Sequence, residues 1–231
     1  MADPAALGSA SAVGWRLSPS VHGVAIGADL VLLDVEADAY FCLVDASAAV
    51  SVAPDGTVDV ADHDARETLL AAGLITAGPA ERPARPPGLA RRDLFQDIAT
   101  PTTAERQVWL RLLRASLSAR LHLHGRSFAQ LLAWAGERAP GDARRWSPPS
   151  PSLAAEAARF SQLRVWAPFD GACLARSYMA LRYLRLCGHD AAWVIGVRTW
   201  PFSAHCWLQA GDVVLDDSAE RVLPYHPILV V

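Results

Sequence analysis

The sequence lacks the long apolar run that a membrane-spanning helix needs. Hydrophobic residues make up 52% of the 231 positions, yet no uninterrupted apolar run reaches the roughly 18 residues that cross a bilayer. The most hydrophobic stretch, residues 108–123, is interrupted by Arg111, Arg114 and Arg120. The N-terminus also lacks the basic segment followed by an apolar segment that marks a secretory signal. We therefore expect a cytoplasmic protein with no membrane partner.

Cysteine is scarce, and the sequence patterns that hold cofactors are missing. The four cysteines lie far apart and form no Cys-x-x-Cys pair, which argues against a disulfide scaffold or a zinc ribbon and fits a reducing compartment. His122 and His124 lack a third metal ligand. No glycine-rich loop that would cradle a phosphate occurs. We therefore expect no metal and no other cofactor.

Lysine is absent, and the arginines are distributed unevenly. Residues 1–80 contain 11 acidic residues and only two arginines, a net charge of -9, whereas residues 81–231 carry a net charge of +6. A protein that reads nucleic acid needs a basic face that releases counterions. The acidic N-terminal part therefore argues against a nucleic-acid partner.

The N-terminal part has the pattern of a small α+β module. Short apolar runs bounded by turn residues predict strands at residues 22–27, 29–34 and 40–44. Aspartates at suitable capping positions predict short helices at residues 46–52 and 62–72. Three strands followed by two or three short helices are typical of a winged-helix module.

The residues of this module resemble the PqqD-like precursor-recognition domain of peptide-modifying enzymes. The resemblance is carried by the segments Trp15-Arg-Leu-Ser-Pro-Ser-Val, Leu30-Val-Leu-Leu-Asp34, Tyr40-Phe-Cys-Leu and Leu69-Leu-Ala-Ala-Gly-Leu-Ile75. It implies that a leader peptide adds as a strand beside the third strand and packs against the following helix. The leader-binding residues it implies are Tyr40, Phe41, Cys42, Leu43, Arg66 and Leu70. Taken singly, Tyr40 or Phe41 is more often an ordinary core residue.

Proline marks the boundary between two predicted domains. Five prolines and several arginines between residues 78 and 101 indicate an extended linker. We therefore predict a disordered N-terminus at residues 1–14 and a recognition domain at residues 15–78. A linker at residues 79–101 then leads to a second domain at residues 102–231. Helical periodicity in the second domain predicts helices at residues 103–122, 127–138 and 153–165.

One further predicted helix carries the candidate nucleophile. Asp170 is a good N-cap, and Gly188 is a natural residue for ending a helix. Cys173 then falls in the first turn, where unpaired N–H groups and the helix dipole favour a thiolate. A lone cysteine is more often a buried structural thiol. Of the others, Cys42 and Cys187 are expected in the core.

A predicted strand, Ser203-Ala-His205-Cys-Trp207, carries the candidate base. His205, Trp207 and Gln209 alternate along it and share one face. Cys206 points to the opposite face, so we exclude it as the nucleophile. A lone histidine is usually structural, but a histidine followed by tryptophan and a hairpin turn is a more specific pattern.

The carboxylate that would orient His205 is ambiguous from geometry. A two-residue hairpin loop after residue 210 places Asp216 on the face of His205. A three-residue loop with a bulge at Gly211 places Asp217 opposite His205 instead. The pattern leaves both residues open.

The C-terminal 65 residues or so resemble the leader peptidases of lasso-peptide biosynthesis. The motifs are Cys173-Leu-Ala-Arg-Ser, Ala204-His-Cys-Trp207, Val213-Val-Leu-Asp-Asp217 and Pro224-Tyr-His-Pro-Ile228. The resemblance implies a transglutaminase-like, papain-like cysteine protease domain with Cys173, His205 and Asp217 as its triad. Two positions depart from the family pattern: Cys206 replaces an alanine, and Asp216 replaces an asparagine.

The resemblance implies hydrolysis of one peptide bond in a ribosomally made precursor. It also implies an ATP-dependent, asparagine-synthetase-like lasso cyclase as partner. The alternatives are a transglutaminase-like acyltransferase or peptide cyclase, in which an amine captures the thioester, and a non-catalytic leader-binding scaffold. The backbone N–H of Cys173 would be one oxyanion donor, with Trp166 and Trp207 as candidates for the second.

Overall fold

The computed structural model describes residues 14–79, 90–94, 106–136, 147–167 and 172–231. The predicted disordered N-terminus lies outside the described residues, apart from Gly14. Most of the predicted linker also lies outside them.

Two antiparallel sheets and one helix form the N-terminal part. The elements are β1 (Trp15–Leu17), β2 (Val21–Ile26), β3 (Asp29–Asp34), β4 (Ala39–Leu43), β5 (Val50–Val52), β6 (Thr57–Val60), α1 (His63–Ala71) and β7 (Ile75–Ala77). One sheet has the order β2-β3-β4, and the other has the order β5-β6-β1-β7. The three predicted strands and the helix that becomes α1 are confirmed.

The predicted helix at residues 46–52 is wrong. Only Ala46–Ala48 forms a single 3₁₀ turn, and the chain then enters β5. Pro54-Asp55-Gly56 connects β5 to β6 as a hairpin, in which Gly56 adopts a φ of 91°. Alternating β-branched residues on both sides of this turn favour strands. Residues 14–79 therefore contain one α-helix, rather than the two or three of the expected winged helix.

A five-stranded sheet covered by helices forms the C-terminal part. Its elements are β8 (Arg92–Asp93), α2 (Arg106–Leu123), α3 (Phe128–Gly136), α4 (Pro151–Leu163), α5 (Cys173–Leu186), β9 (Ala192–Arg198), β10 (Ser203–Ala210), β11 (Val213–Val214), α6 (Ala219–Val222) and β12 (His226–Val230). The strand order is β12-β9-β10-β11-β8. Helix α5 packs against β10 and α2. The four predicted helices are confirmed as α2 to α5, with shifted ends.

Part of the predicted linker belongs to the C-terminal sheet. β8 pairs in parallel with β11 at the sheet edge. Ala90, just before it, is buried in a cluster with Ala192 and Trp207. This segment is therefore a sheet strand, because its backbone finds partners on β11. Residues 80–89 and 95–101 lie outside the described residues.

β3 is buried on both faces and joins the two parts of the chain. Leu30 and Leu32 enter the core of the N-terminal part. Val31 and Leu33 point the other way and join the core formed around α2 and α5. A strand covered on both faces reads as a continuous apolar run, as residues 30–33 do. The two predicted domains therefore share a core across the β2-β3-β4 sheet.

The apolar stripe of α2 faces outward. Trp109, Leu113, Leu117 and Leu121, which recur at four-residue spacing, are each at least 40% exposed. The buried face is formed instead by Val108, Leu112, Ala115, Ser116 and Ala119. Within the described parts of the chain, no helix combines the length and the apolar character that a bilayer crossing requires.

Replacing Leu33 by alanine tests whether β3 is the shared element. Leu33 is fully buried, so we expect Leu33→Ala to lower the free energy of unfolding by about 2–5 kcal/mol. Leu121→Ala is the matched control, because Leu121 is 63% exposed and should change stability by less than about 0.5 kcal/mol. Urea unfolding followed by tryptophan fluorescence measures both. Equal effects of the two variants would contradict the shared core.

Candidate active site

Cys173 begins α5, in agreement with the sequence prediction. The N-cap is Ala172, which makes no side-chain capping bond, and the predicted cap Asp170 lies outside the described residues. The helix ends as expected at Gly188, which has a φ of 83°. Cys173 is only partly buried. As the first helical residue, Cys173 belongs to the turn whose backbone N–H groups have no partner within the helix, and such a position favours an anion.

His205 lies on β10, buried between two aromatic rings. The centroid of its ring is 5.2 Å from that of Tyr225 and 6.2 Å from that of Trp207. Trp207 donates from Nε1 to Gln209 Oε1 at 3.0 Å, so the predicted shared face is confirmed. Gly196 lies opposite His205 on β9. A Cβ at that position would lie 2.7 Å from the Trp207 ring, so glycine leaves the space in which Trp207 supports the imidazole.

Asp217, rather than Asp216, contacts His205. His205 Nε2 and Asp217 Oδ2 are 2.8 Å apart. Asp216 is instead buried, and its Oδ1 accepts the backbone N–H of Leu208 at 2.7 Å. Burial raises the pKa of Asp216 to about 6. Asp217 thus faces the imidazole, whereas Asp216 is hydrogen-bonded to the backbone of β10.

Asp217 reaches His205 without the expected bulge. β10 and β11 pair Ala210 with Val213, so the hairpin has a two-residue loop. The N–H of Leu215, just after β11 (Val213–Val214), still donates to the carbonyl of Leu208 at 2.9 Å, but the N–H of Leu208 bonds to the Asp216 side chain and the pairing ends there. The chain leaves the sheet after that point, which frees Asp217 from the strict alternation of side chains along a strand. Strand register alone could not predict this departure.

Arg176 also binds Asp217, and the sequence analysis missed it. Its Nη2 donates to Asp217 Oδ2 at 2.6 Å, and the backbone N–H of Ser218 donates to Oδ1 at 2.9 Å. Although burial acts to raise the pKa of Asp217, its bonds to His205 and Ser218 hold that pKa below its ordinary value. The available signal was spacing: Arg176 follows Cys173 by three residues on α5, so both side chains lie on one face.

The surroundings of Cys173 and His205 favour an ion pair between them. Hydrogen bonds from Cys206 and His205 lower the pKa of Cys173 to about 4. Hydrogen bonds with Asp217 and Cys173 raise the pKa of His205 to about 9. Because Nε2 of the ring is bonded to Asp217, Nδ1 is the nitrogen left for the sulfur. Between these two values, the stable form is a thiolate beside an imidazolium.

Cys206 is a second thiol in contact with Cys173. The sequence analysis placed it on the face of β10 opposite His205 and excluded it as nucleophile. The structure gives it a hydrogen bond to the Cys173 sulfur, and this bond, together with burial, raises its pKa. Ser177 Oγ is 3.4 Å from its sulfur. Cys206 therefore stays a thiol and acts as a donor to the thiolate.

A cleft of about 330 Å³ opens at the Cys173 sulfur. Its walls come from both parts of the chain. The lining residues are Asp38, Tyr40, Leu123, Arg126, Phe128, Leu131, Cys173, Leu174, Ile195, Ala204, His205 and Cys206. Half of these side chains are hydrocarbon, and Asp38 and Arg126 add charged groups beside the Cys173–His205 pair. The cleft has the mixed character of a ligand site, with an apolar wall and a few polar groups.

The predicted leader-binding residues lie in three different surroundings. Tyr40 lines the cleft. Phe41 and Cys42 are exposed on β4, so the expectation that Cys42 lies in the core is wrong. Leu43 and Leu70 are half-buried against the same N-terminal core cluster. On α1, the Arg66 guanidinium lies 5.9 Å from the ring centre of Trp15.

The two candidates for a second oxyanion donor differ in availability. Trp207 is buried and its Nε1 is already bonded to Gln209, which removes it. Trp166 is 73% exposed.

The described residues contain no group of three His, Cys, Asp or Glu side chains that could hold a metal ion. The other cysteine expected in the core, Cys187, is half-buried, with its sulfur 3.6 Å from Glu156 Oε2.

The pH dependence of Cys173 alkylation tests the ion pair. With a pKa near 4 the thiolate is already formed at pH 5, so we expect the iodoacetamide rate constant to stay nearly flat from pH 5 to 8. Cys42 is the internal reference: it is largely exposed, partial desolvation and the Asp29 carboxylate raise its pKa, and its rate should rise about tenfold per pH unit. Peptide mass mapping reads both sites. A Cys173 rate that climbs with pH in parallel with Cys42 would refute the ion pair.

Replacing Cys206 tests its donor role. A hydrogen bond to a charged group is worth about 1.5 kcal/mol or more, so Cys206→Ala should move the midpoint of Cys173 alkylation upward by about one pH unit. Cys206→Ser retains a donor and should restore most of the effect. Cys187→Ala, at the other end of α5, is the control and should leave the midpoint unchanged. An unchanged midpoint in Cys206→Ala would contradict the donor role.

Comparisons with known proteins agree with this architecture. The family model described as the transglutaminase-like superfamily matches residues 113–230, just over half of the chain. The microcin J25-processing protein McjB of Escherichia coli is 44% identical over 50 residues, which are 22% of this chain and 24% of McjB. The match thus spans about a quarter of that relative. No solved structure matches significantly. The chain belongs to the transglutaminase-like superfamily.

Proposed function

We propose that this protein is a cysteine peptidase that removes the leader from a ribosomally made lasso-peptide precursor. The observation that carries the proposal is the pairing of Cys173 with His205, itself bonded to Asp217, at the bottom of an open cleft. The substrate class rests on the lasso-peptidase motifs in the sequence and on the similarity to McjB, a microcin J25-processing protein. We propose Cys173, His205 and Asp217 as the catalytic triad.

The first half of the reaction forms a thioester. The Cys173 thiolate attacks the carbonyl carbon of the last leader residue, and the charge moves to the carbonyl oxygen. The backbone N–H of Cys173 has no partner within the helix, because Cys173 is its first residue, and it is the proposed donor to that oxyanion. The His205 imidazolium then donates its Nδ1 proton to the leaving amine. The peptide bond breaks, and the leader stays bound to sulfur.

The second half of the reaction releases the leader. Neutral His205 takes a proton from water, which attacks the thioester and gives a free leader carboxylate and the Cys173 thiolate. Asp217 keeps the ring oriented by holding Nε2–H throughout. Arg176 holds Asp217 in turn. Since the cycle needs a thiolate and an imidazolium together, activity should span the interval between the pKa values of about 4 and about 9.

We propose that the edge of β4 receives the leader. Among the described residues, β4 has a strand on one side only, so its other edge offers backbone groups for strand addition. Asp38 and Tyr40 line the cleft, so the cleft lies near the Ala39 end of β4. A leader strand that runs antiparallel to β4 therefore leads toward the cleft. Exposed Phe41 and Cys42 supply side-chain contacts beside such a strand.

Helix α1 is the second part of the proposed recognition surface. Leu70 packs against the same core cluster as Leu43 of β4, and Arg66 lies over Trp15. The PqqD-like assignment of this part stays a prediction. The ATP-dependent lasso cyclase, which would close the ring on the amine that cleavage frees, is likewise a proposed partner. Its support is the resemblance of the sequence to lasso leader peptidases.

Replacing the nucleophile separates binding from chemistry. We expect Cys173→Ala to bind the precursor with unchanged affinity and to lose at least about a thousandfold in cleavage rate. Cys187→Ala is the matched control, because the same substitution at the other end of α5 should leave the rate unchanged. Fluorescence anisotropy of a labelled precursor and mass spectrometry of the products measure the two properties.

The products also distinguish hydrolysis from acyl transfer. Hydrolysis gives a leader with a free carboxylate, which contains an oxygen atom from water. Capture by an amine gives a leader amide or a cyclic product, and neither contains an oxygen atom from water. Cleavage by Cys173→Ala at the wild-type rate would refute the mechanism. A leader amide as the main product would replace the peptidase with an acyltransferase.

A further inference from the structure

β4 presents alternate side chains to the two parts of the chain. Tyr40 packs against the core around α2 and α5, whereas Leu43 packs against the N-terminal core. Phe41, the neighbour of Tyr40, points to the opposite face of the strand and is 38% exposed. The proposed recognition strand therefore has one residue, Tyr40, that belongs to the peptidase side.

Tyr40 forms a wall of the cleft that contains the nucleophile. It lines that cleft together with Cys173, and so does Asp38, in the turn just before β4. Burial raises the pKa of Tyr40 to about 12, with further contributions from Cys206, Asp38 and Cys173. The hydroxyl is therefore protonated, and Tyr40 lines the cleft together with both Cys173 and Cys206. A protonated hydroxyl can donate to a peptide carbonyl.

The connection between β9 and β10 holds Tyr40 in this place. The ring centroids of Tyr40 and Phe202 are 5.4 Å apart. Trp200, in the same connection, donates from Nε1 to Asp29 Oδ2 at 2.7 Å. His205 follows three residues after Phe202, on β10, which begins directly after this connection. The strand that carries the base and the strand that carries Tyr40 are thus fixed to each other.

We propose that Tyr40 is a substrate-binding residue of the peptidase cleft, where it holds the residues next to the scissile bond. This inference deepens the proposed function and rests on it for the identity of the substrate. The Tyr40 ring packs against the bound peptide, and its hydroxyl donates to the peptide backbone. The strand that binds the leader therefore also completes the active site. Phe41, on the other face, contributes to leader affinity only.

A peptide-directed alkylating reagent tests Tyr40 without requiring cleavage. The probe is a chloromethyl ketone of a tripeptide that carries the last residues of the leader, and iodoacetamide serves as the small reference reagent. We expect Tyr40→Ala to lower the second-order rate of Cys173 alkylation by the peptide reagent about tenfold. The iodoacetamide rate should stay within about twofold of wild type, because the thiolate itself is unchanged. Tyr40→Phe, which keeps the ring packing, should show a smaller loss of several-fold.

Phe41→Ala is the matched control on the adjacent position. It should weaken binding of a labelled full-length leader and leave peptide-reagent alkylation unchanged, whereas Tyr40→Ala should slow peptide-reagent alkylation and weaken leader binding less than Phe41→Ala does. The inference is overturned if neither Tyr40 variant slows the peptide reagent, or if Tyr40→Ala slows iodoacetamide equally. Failure of the proposed function has a different signature: wild-type protein would leave the precursor uncut even while Tyr40 governed reaction with the peptide reagent.

Discussion

His205 donates from Nε2 to Asp217 Oδ2 across 2.8 Å, and this bond determines which ring nitrogen is left for the nucleophile. With Nε2 occupied, Nδ1 faces Cys173, and the negative charge behind the ring favours the imidazolium. The imidazolium in turn stabilises the thiolate at the start of α5, where backbone N–H groups are unpaired. Arg176 and the Ser218 N–H hold the carboxylate in place. Each charge in the site thus depends on the position of Asp217.

The second constraint is the shared core at β3. Its side chains alternate between the N-terminal cluster and the cluster around α2 and α5, so neither part can shift without exposing apolar surface. Trp200 and Phe202 add polar and aromatic contacts to Asp29 and Tyr40. A leader bound at β4 would therefore approach a nucleophile at a fixed distance. Such preorganisation favours cleavage at one bond.

The sequence alone predicted the position of Cys173, the proposed nucleophile, because a helix start is a local property. Cys173 opens α5 and His205 shares a face with Trp207, as expected. Properties set by tertiary contacts escaped prediction. Asp217 reaches His205 only because β11 ends after two residues, and β8 joins the sheet through partners more than a hundred residues away. Tyr40 lines the cleft because β3 and β4 pack on the C-terminal part, which no local pattern encodes.

The protonation state of His205 shows directly whether the imidazolium–thiolate pair with Cys173 exists. Imidazole ¹⁵N chemical shifts, measured by NMR on protein labelled at histidine and assigned with a His205→Gln variant, report both ring nitrogens. The account predicts an imidazolium at pH 7.5 that titrates at about pH 9. In Cys173→Ala it should titrate at lower pH, because the thiolate that stabilises the charge is gone. A neutral His205 ring at pH 7.5 in the wild-type protein would contradict the account.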